Sequence, residues 1–228
     1  MTNHDNARPA RNVFNAALTL VLIGCITGMC SFAAAPAYAA AKEHAAAREA
    51  SIVLAGGCFW GMEAVFGALD GVTSAVPGYA GGSKATAHYE SVSTGLTGHA
   101  ESVQIVYDPA RISLRTLLDV FFTVAHDPTQ RDRQGPDTGR QYRSAIFYSD
   151  DAQKRVAAAS IRALESSKRF QAPIVTSLEP LAAFYPAEEY HRGYVARHPN
   201  DPYVAFNDLP KLALLRERFP QLVRKNGD

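Results

Sequence analysis

One cysteine lies where a thiol is well placed for chemistry. Cys58 follows Gly56 and Gly57 and precedes Phe59 and Trp60. Glycines at such a point let the backbone bend tightly and let a ligand approach. If a helix begins directly after the cysteine, its unpaired N–H groups and its dipole favour a thiolate. We therefore interpret Cys58 as a nucleophile that ionises readily, with the two adjacent rings as an apolar cup for a substrate.

A carboxylate on an apolar strand face is the second candidate. Residues 101–107 alternate as in a strand, so Glu101 shares a face with Val103 and Ile105. Burying a carboxylate is expensive unless it is paired or protonated. Glu101 is therefore a candidate for a raised pKa and for general-acid catalysis. The competing interpretation is a strand-end glutamate that reaches water past the edge of the sheet.

Three further polar side chains flank loop regions. Tyr89 and Tyr142 are candidate hydrogen-bond donors, although single tyrosines more often pack half-buried. Asp137, between Pro136 and Thr138, is by itself a turn-forming residue.

Composition and spacing exclude other kinds of site. The 228 residues carry 23 basic and 22 acidic side chains, so the net charge is +1 and there is no excess positive charge to bind nucleic acid. The histidines form no i,i+4 pair and no Cys-x-x-Cys motif is present, which disfavours a zinc site. The glycine-rich loop 77–84 lacks the Gly-Lys-Ser/Thr ending of a phosphate-binding loop.

The elements around these residues indicate an α+β fold. A β-branched apolar run over 51–55 predicts a strand before Cys58, and apolar residues at helical spacing over 59–69 predict a helix after it. Further strands are predicted at 72–76, 101–107, 143–148 and 174–179, with helices at 112–124, 150–167, 187–196 and 209–223 and a long polar loop at 126–141. We expect one sheet with helices packed on it.

The N-terminal residues have the form of an export signal. Arg8 and Arg11 precede an uncharged stretch over 12–41, and Ala37-Tyr38-Ala39 has the small-x-small form of a cleavage site. We predict a signal peptide over 1–39 and a periplasmic location. A retained membrane anchor and a lipoprotein with its lipid on Cys25 are the alternatives. A tether over 40–50, a catalytic domain over 51–206 and a C-terminal helix over 207–228 complete the predicted organisation.

Cleavage at that site would leave a single thiol. Cys25 and Cys30 lie in the segment to be removed, so Cys58 would remain alone in an oxidising compartment. A lone cysteine cannot close an intramolecular disulfide.

The motifs together resemble those of the A-type peptide methionine sulfoxide reductases. The resemblance covers roughly residues 51–206 and is carried, in the family's order, by Gly57-Cys58-Phe59-Trp60-Gly61, Tyr89, Gly98-His99-Ala100-Glu101, His126-Asp127-Pro128, Gln141-Tyr142-Arg143-Ser144 and Tyr185-Pro186-Ala187-Glu188-Glu189-Tyr190-His191. It implies a two-layer α/β plait in a single catalytic domain, and reduction of the S epimer of methionine sulfoxide in proteins, peptides or the free amino acid.

The resemblance also implies roles for the candidates. Glu101 would protonate the sulfoxide oxygen, and Tyr89 and Tyr142 would donate hydrogen bonds to it. Phe59 and Trp60 would enclose the S-methyl group, and Asp137 would complete the polar side of the pocket. Cys58 would attack the sulfur and become a sulfenic acid.

The chain departs from many relatives in its cysteines. No cysteine follows Cys58, and Ser93 stands where relatives often have one. The resemblance therefore implies no bound cofactor or metal, and recycling by an external thiol such as a thioredoxin-like protein or a dithiol. We expect a monomer that meets a membrane only if its N-terminal segment is retained or lipidated.

Other functions are compatible with Cys58 taken alone. A cysteine hydrolase would form an acyl-enzyme and need no reductant. A thiol peroxidase is also conceivable. In a non-catalytic secreted peptide binder, Cys58 would be only a small buried hydrophobe.

Overall fold

The computed structural model describes residues 49–225. The predicted signal peptide over 1–39 and nearly all of the predicted tether over 40–50 lie outside this range, as do residues 226–228. Within it, no helix combines the length and the hydropathy that crossing a membrane requires.

Eight strands and six α-helices build the described region. The strands are β1 (Ala50–Gly56), β2 (Val72–Ala80), β3 (Ala100–Tyr107), β4 (Arg133–Gln134), β5 (Asp137–Thr138), β6 (Ser144–Tyr148), β7 (Ser177–Pro180) and β8 (Phe184–Pro186). The α-helices are α1 (Phe59–Gly67), α2 (Tyr89–Val92), α3 (Leu114–Val120), α4 (Asp151–Ser166), α5 (Tyr194–Arg197) and α6 (Leu209–Arg218). Single π-helical turns follow α3 (Phe121–Ala125) and precede α6 (Val204–Asp208), and 3₁₀ turns lie at Lys84–Thr86, Arg140–Tyr142, Glu189–His191 and Pro220–Leu222.

The main sheet is mixed, and its strand order is β7-β6-β1-β3-β2-β8. All of its pairs are antiparallel except β6 with β7. The central strands are linked as β-α-β-β-α-β, because α1 connects β1 to β2 and α3 connects β3 to β6. The predicted α+β class, one sheet with helices packed on it, is confirmed.

The helices pack on one face of this sheet. Strand residues such as Leu54, Val103 and Ile105 share a core with Phe66 of α1 and Leu117 of α3. The opposite face carries a smaller cluster built around Val53 and Phe147, which Leu181 and Phe184 partly cover. Helix α6 belongs to the main core, since Leu215 is fully buried there.

Several element predictions differ from the structure. The predicted loop 126–141 contains the short β4–β5 hairpin, and the predicted strand 174–179 begins only at Ser177. The predicted loop 77–84 begins as strand, because β2 continues to Ala80 and Tyr79 pairs with Glu101 on one side and Tyr185 on the other. The predicted helix over 187–196 is two short turns, because Gly193 has a left-handed backbone with φ of 60°.

Strand direction decides where the candidate site residues meet. Strand β1 ends at Gly56, and its antiparallel neighbours β3 and β6 begin at that same end of the sheet. The turn that holds Cys58 therefore lies beside the first residues of β3, which include Glu101.

Candidate active site

A tight turn places Cys58 at the beginning of α1. Gly57 has φ of 92°, a conformation that side chains disfavour, and a Cβ there would lie 2.6 Å from Cβ of Gln134. Glycine is therefore required on both counts. Cys58 is the N-cap residue of α1, as predicted.

Glu101 lies directly beside this turn. Its side chain is 2% exposed, and its Oε2 accepts a hydrogen bond of 3.1 Å from the backbone N–H of Phe59. Burial raises the pKa of Glu101 to about 8, an effect that the Phe59 N–H opposes and the charge of Asp137 reinforces. The predicted inward orientation and raised pKa are confirmed. At neutral pH this group is a carboxylic acid with a proton to give.

The Cys58 thiol does not ionise readily in the unliganded protein. It is 8% exposed, and burial raises its pKa well above the ordinary value, as do the charges of Glu101 and Asp208. The backbone N–H of Trp60 and the Lys211 ammonium act in the opposite direction. The expectation of a low thiol pKa at the helix N-terminus is therefore wrong, because the loss of hydration outweighs the helix N–H groups.

The three loop candidates gather around Glu101. Burial raises the pKa values of Tyr89 and Tyr142, and the charge of Glu101 is the second cause for both. Both phenols therefore stay protonated and can donate hydrogen bonds. Asp137, in the small β4–β5 hairpin, is half-buried, and its carboxylate accepts a hydrogen bond from the Tyr203 hydroxyl.

The two rings after Cys58 occupy different environments. Phe59 is 1% exposed and packs beneath the rings of Tyr79 and His191, with centroids 5.9 and 4.9 Å away. Trp60 is partly exposed and stacks on Tyr194 at 3.7 Å and 7°. Trp60 is therefore the more accessible of the two rings and forms an apolar wall, whereas Phe59 is buried.

Several residues of the site carried no predicted role. His191 accepts a hydrogen bond of 3.1 Å from Trp60 Nε1. Glu188 accepts one of 2.7 Å from the Tyr79 hydroxyl and one of 2.9 Å from the Tyr89 N–H, which fixes α2 to β2. His191 and Glu188 lie in the 185–191 motif, but the sequence predicted no role for either of them. Tyr203 also meets the Trp60 ring edge-on, with centroids 5.8 Å apart. It lies in a segment that matches none of the motifs found in the sequence.

The described region contains little that would bind a metal. Within residues 49–225, no group of three or more His, Cys, Asp or Glu side chains is arranged to hold an ion. The arrangement instead brings a thiol, a buried carboxyl group, two phenols and an aromatic wall to one end of the sheet.

Comparison with known proteins agrees with this arrangement. The family model described as peptide methionine sulfoxide reductase matches residues 50–222. A peptide methionine sulfoxide reductase MsrA 2 of Mesorhizobium japonicum is 52% identical over 75% of this chain and 87% of its own length. An MsrA of Thermus thermophilus is 52% identical over 77% of this chain and 98% of its own.

Solved structures give the same result. Reduced Mxr1 of Saccharomyces cerevisiae aligns with a TM-score of 0.63 at 38% identity, over 68% of this chain and 88% of that one. Methionine sulfoxide reductase A of Corynebacterium diphtheriae aligns with a TM-score of 0.58 at 34% identity, over 68% and 77% of the two chains.

Proposed function

Because this chain belongs to the peptide methionine sulfoxide reductase family, we propose that the Cys58 sulfur attacks the sulfur of methionine sulfoxide while Glu101 protonates the oxygen. Membership makes the chain an oxidoreductase that reduces methionine sulfoxide. The nucleophile, the proton donor and the reductant are further proposals, which the residues of the site support.

One observation supports the proposal above all others. The hydrogen bond from the Phe59 N–H to Glu101 Oε2 places a fully buried carboxyl one residue from Cys58. Its pKa of about 8 keeps it protonated at neutral pH. A sulfoxide sulfur becomes a good electrophile when its oxygen is protonated, so a proton donor beside the thiol is what the reaction needs.

The proposed step moves one oxygen atom from the substrate to Cys58. Glu101 gives its proton to the sulfoxide oxygen as the Cys58 sulfur attacks and forms an S–S bond, and the thiol proton passes to the Glu101 carboxylate. The hydroxyl then passes to the Cys58 sulfur as the substrate S–O bond and the new S–S bond break, which leaves a lone pair on the methionine sulfur. The products are methionine and a Cys58 sulfenic acid. The substrate sulfur gains two electrons and the cysteine sulfur loses two, so atoms and charge balance.

The surrounding side chains would orient the sulfoxide. Tyr89 and Tyr142, both protonated and close to Glu101, would donate hydrogen bonds to the oxygen. Trp60 would contact the S-methyl group, with Phe59 beneath it, and Asp137 would close the polar side. This handed arrangement of apolar wall and donors favours one epimer, which we take to be S.

The sulfenic acid would be recycled from outside the chain. Cys58 is the only cysteine after residue 30, and Ser93 has its hydroxyl bonded to the Glu90 carbonyl. A thioredoxin-like protein or a dithiol would therefore attack oxidised Cys58 directly. We further propose export to the periplasm and repair of oxidised proteins there, on the strength of the sequence over residues 1–39 alone.

The experiment that tests this function is single-turnover reduction of a methionine sulfoxide peptide. Each epimer is mixed with the wild type or Cys58→Ser, with and without dithiol, and released methionine is quantified. We expect one equivalent of methionine from the S epimer without dithiol, many with it, and none from Cys58→Ser.

Ser93→Ala is the matched control, because it changes a hydroxyl in the same region without touching the sulfur. Repeated turnover of the wild type in the absence of any thiol would refute the recycling scheme. Methionine release by Cys58→Ser would refute the nucleophile.

A further inference from the structure

A buried carboxylate lies against the first turn of α1. Asp208, at the end of the π-helical turn before α6, is 0% exposed. A Cβ on Gly61 would lie 2.2 Å from Asp208 Oδ1 and 2.8 Å from Lys211 Nζ. Real Cβ atoms do not come so close, so the absence of a side chain at Gly61 is what lets these two charged groups reach the backbone beside Cys58.

A gain in stability does not explain why the Asp208–Lys211 ion pair is buried. Lys211 Nζ donates to Asp208 Oδ1 at 3.3 Å, and the Lys211 side chain is 18% exposed. Asp208 Oδ2 is buried and has no hydrogen-bond partner within residues 49–225. A buried ion pair with an unsatisfied oxygen contributes little to stability or costs it. Its position beside the reactive turn suggests a role there.

Both members of the pair act on the thiol, in opposite directions. The Asp208 charge raises the pKa of Cys58 and the Lys211 charge lowers it. The titratable groups that face the thiol from the other elements are Glu101 of β3, Tyr89 of α2, Tyr142, Tyr203 and Tyr194 of α5. Burial raises the pKa values of all of these, so near pH 7 the phenols are neutral and Glu101 is mainly protonated, whereas Glu101 ionises above a pH of about 8.

The ion pair of Asp208 and Lys211 therefore lies against the turn that holds Cys58, where the charge of Glu101 has the larger influence on the thiol and that of Asp208 the next. Asp208 itself is faced by Lys211, Asp137 and Asp201. Burial raises its pKa, and Lys211 is the first cause acting against that rise.

We propose that Asp208 is a positioning residue whose carboxylate adds to the effect of burial in favouring the neutral form of the resting Cys58 sulfur, and that Lys211 is the counterion that limits this addition. The inference rests on the proposed role of Cys58 as nucleophile. Since the thiolate and not the thiol is the reactive species, the pair would keep the resting enzyme slow to react with alkylating agents and peroxides.

The test is the pH profile of Cys58 alkylation by iodoacetamide in the full chain. Mass spectrometry of the peptide that contains Cys58 separates it from Cys25 and Cys30. The variants are Asp208→Asn and Lys211→Met, with Glu217→Gln as control, since Glu217 is an exposed carboxylate on the same helix.

We expect opposite shifts. Asp208→Asn should move the profile to lower pH and raise the rate at pH 7 on the order of tenfold, because a shift of one pKa unit changes the thiolate fraction by that factor. Lys211→Met should move it to higher pH and slow alkylation about threefold to tenfold. Glu217→Gln should match the wild type.

Two results would overturn the inference: no shift in either variant, or shifts of the same sign, which a merely structural disturbance would give. If circular dichroism shows that Asp208→Asn does not fold, the direction of the Lys211→Met shift decides alone. Alkylation needs no turnover, so this result stands apart from the single-turnover test of the function.

Discussion

Two buried polar regions lie on either side of the Gly56–Gly57 turn, and they differ in how their hydrogen bonds are satisfied. The first is Cys58 with Glu101, which we call the reactive region because of the role proposed for it. The second, which we call the His126 network, consists of His126, Ser144 and Thr176.

Both ring nitrogens of His126 have hydrogen-bond partners in the His126 network or the backbone beside it. His126 Nδ1 lies 2.8 Å from the Phe121 carbonyl and must donate to it, so Nε2 accepts from the Ser144 hydroxyl at 2.7 Å. Ser144 Oγ in turn lies 2.7 Å from Thr176 Oγ1. Burial lowers the pKa of His126 to about 4. The ring is neutral, held in one tautomer, and packs against Gly56, where a Cβ would lie 2.8 Å from it.

The reactive region has fewer internal hydrogen bonds than the His126 network. Glu101 has one hydrogen bond, from the Phe59 N–H, and a pKa raised to about 8. If Glu101 is the proton donor, as proposed, burial alone does not distinguish a catalytic group from a structural one. Both regions keep a titratable side chain neutral. The His126 N–H already donates to a carbonyl, whereas the Glu101 proton has no acceptor in the reactive region. A substrate oxygen could therefore accept the Glu101 proton.

Glu101→Gln gives the largest expected effect. Glutamine preserves the shape and can accept the Phe59 N–H bond, but it has no acidic proton. General acids typically supply ~10²–10⁴ in rate, so single-turnover reduction should slow by about that factor with unchanged circular dichroism. Asp119→Asn, which removes a carboxylate on α3 whose pKa is also raised, is the control. A wild-type rate in Glu101→Gln would place the acid elsewhere.

The same variant should change the pH dependence of stability. Folding raises the pKa of Glu101 from 4.5 to about 8, so its contribution is fully present below pH 4.5 and is lost as pH rises through 8. Glu101→Gln should therefore gain, relative to the wild type, about 4 kcal/mol in the free energy of unfolding between pH 5 and pH 9. Urea denaturation at both pH values measures this gain. Parallel stabilities for the two proteins would show that the carboxyl is not buried as described.

His126→Ala should have the opposite effect to Glu101→Gln. It should lower the free energy of unfolding and leave the rate per folded molecule nearly unchanged. It removes two hydrogen bonds and leaves the Phe121 carbonyl buried, which costs about 2 kcal/mol. Because folding lowers the pKa of His126 from 6.5 to about 4, the wild type loses stability as pH falls through that window.

The variant should lack this part of the acid sensitivity, which denaturation at pH 7 and pH 4.5 measures. Ser144→Ala, which breaks one link of the same network, should show a smaller loss. A fall in rate comparable to that of Glu101→Gln would erase the distinction between the two regions.

Tyr203→Phe should give the smallest effect. It removes the hydroxyl that donates to Asp137 and keeps the ring that meets Trp60. A hydrogen bond of this kind contributes about 1 kcal/mol, so we expect activity to fall about fivefold, with the change mainly in KM. Tyr190→Phe, which alters a more exposed phenol near the same aromatic cluster, serves as the control. No difference between the two variants would remove Tyr203 from the site.

The sequence predicted the parts of the site that depend on local pattern. The glycines before Cys58, the apolar run before them and the helical stripe after them placed the thiol at a strand-to-helix turn. Alternation along β3 was enough to predict that Glu101 points into the core, because side chains on a strand can take only two directions.

Local pattern failed where pairing partners decide. Pro77 and Gly78 predicted a loop, yet both belong to β2, because β3 and β8 supply hydrogen-bonding neighbours on its two sides. Gly193 broke a helix whose composition favoured continuity.

The charge state of the site was decided only by the tertiary structure. The helix N-terminus predicted a thiolate at Cys58, whereas the folded chain buries that sulfur and brings Asp208 beside it from residues far along the chain. Tyr203 likewise reaches Asp137 across a separation that no motif spans. A sequence pattern specifies the direction in which a side chain leaves its own backbone. The pKa of that side chain depends instead on how far folding removes it from water and on which charges come near it. Both depend on every element that packs nearby.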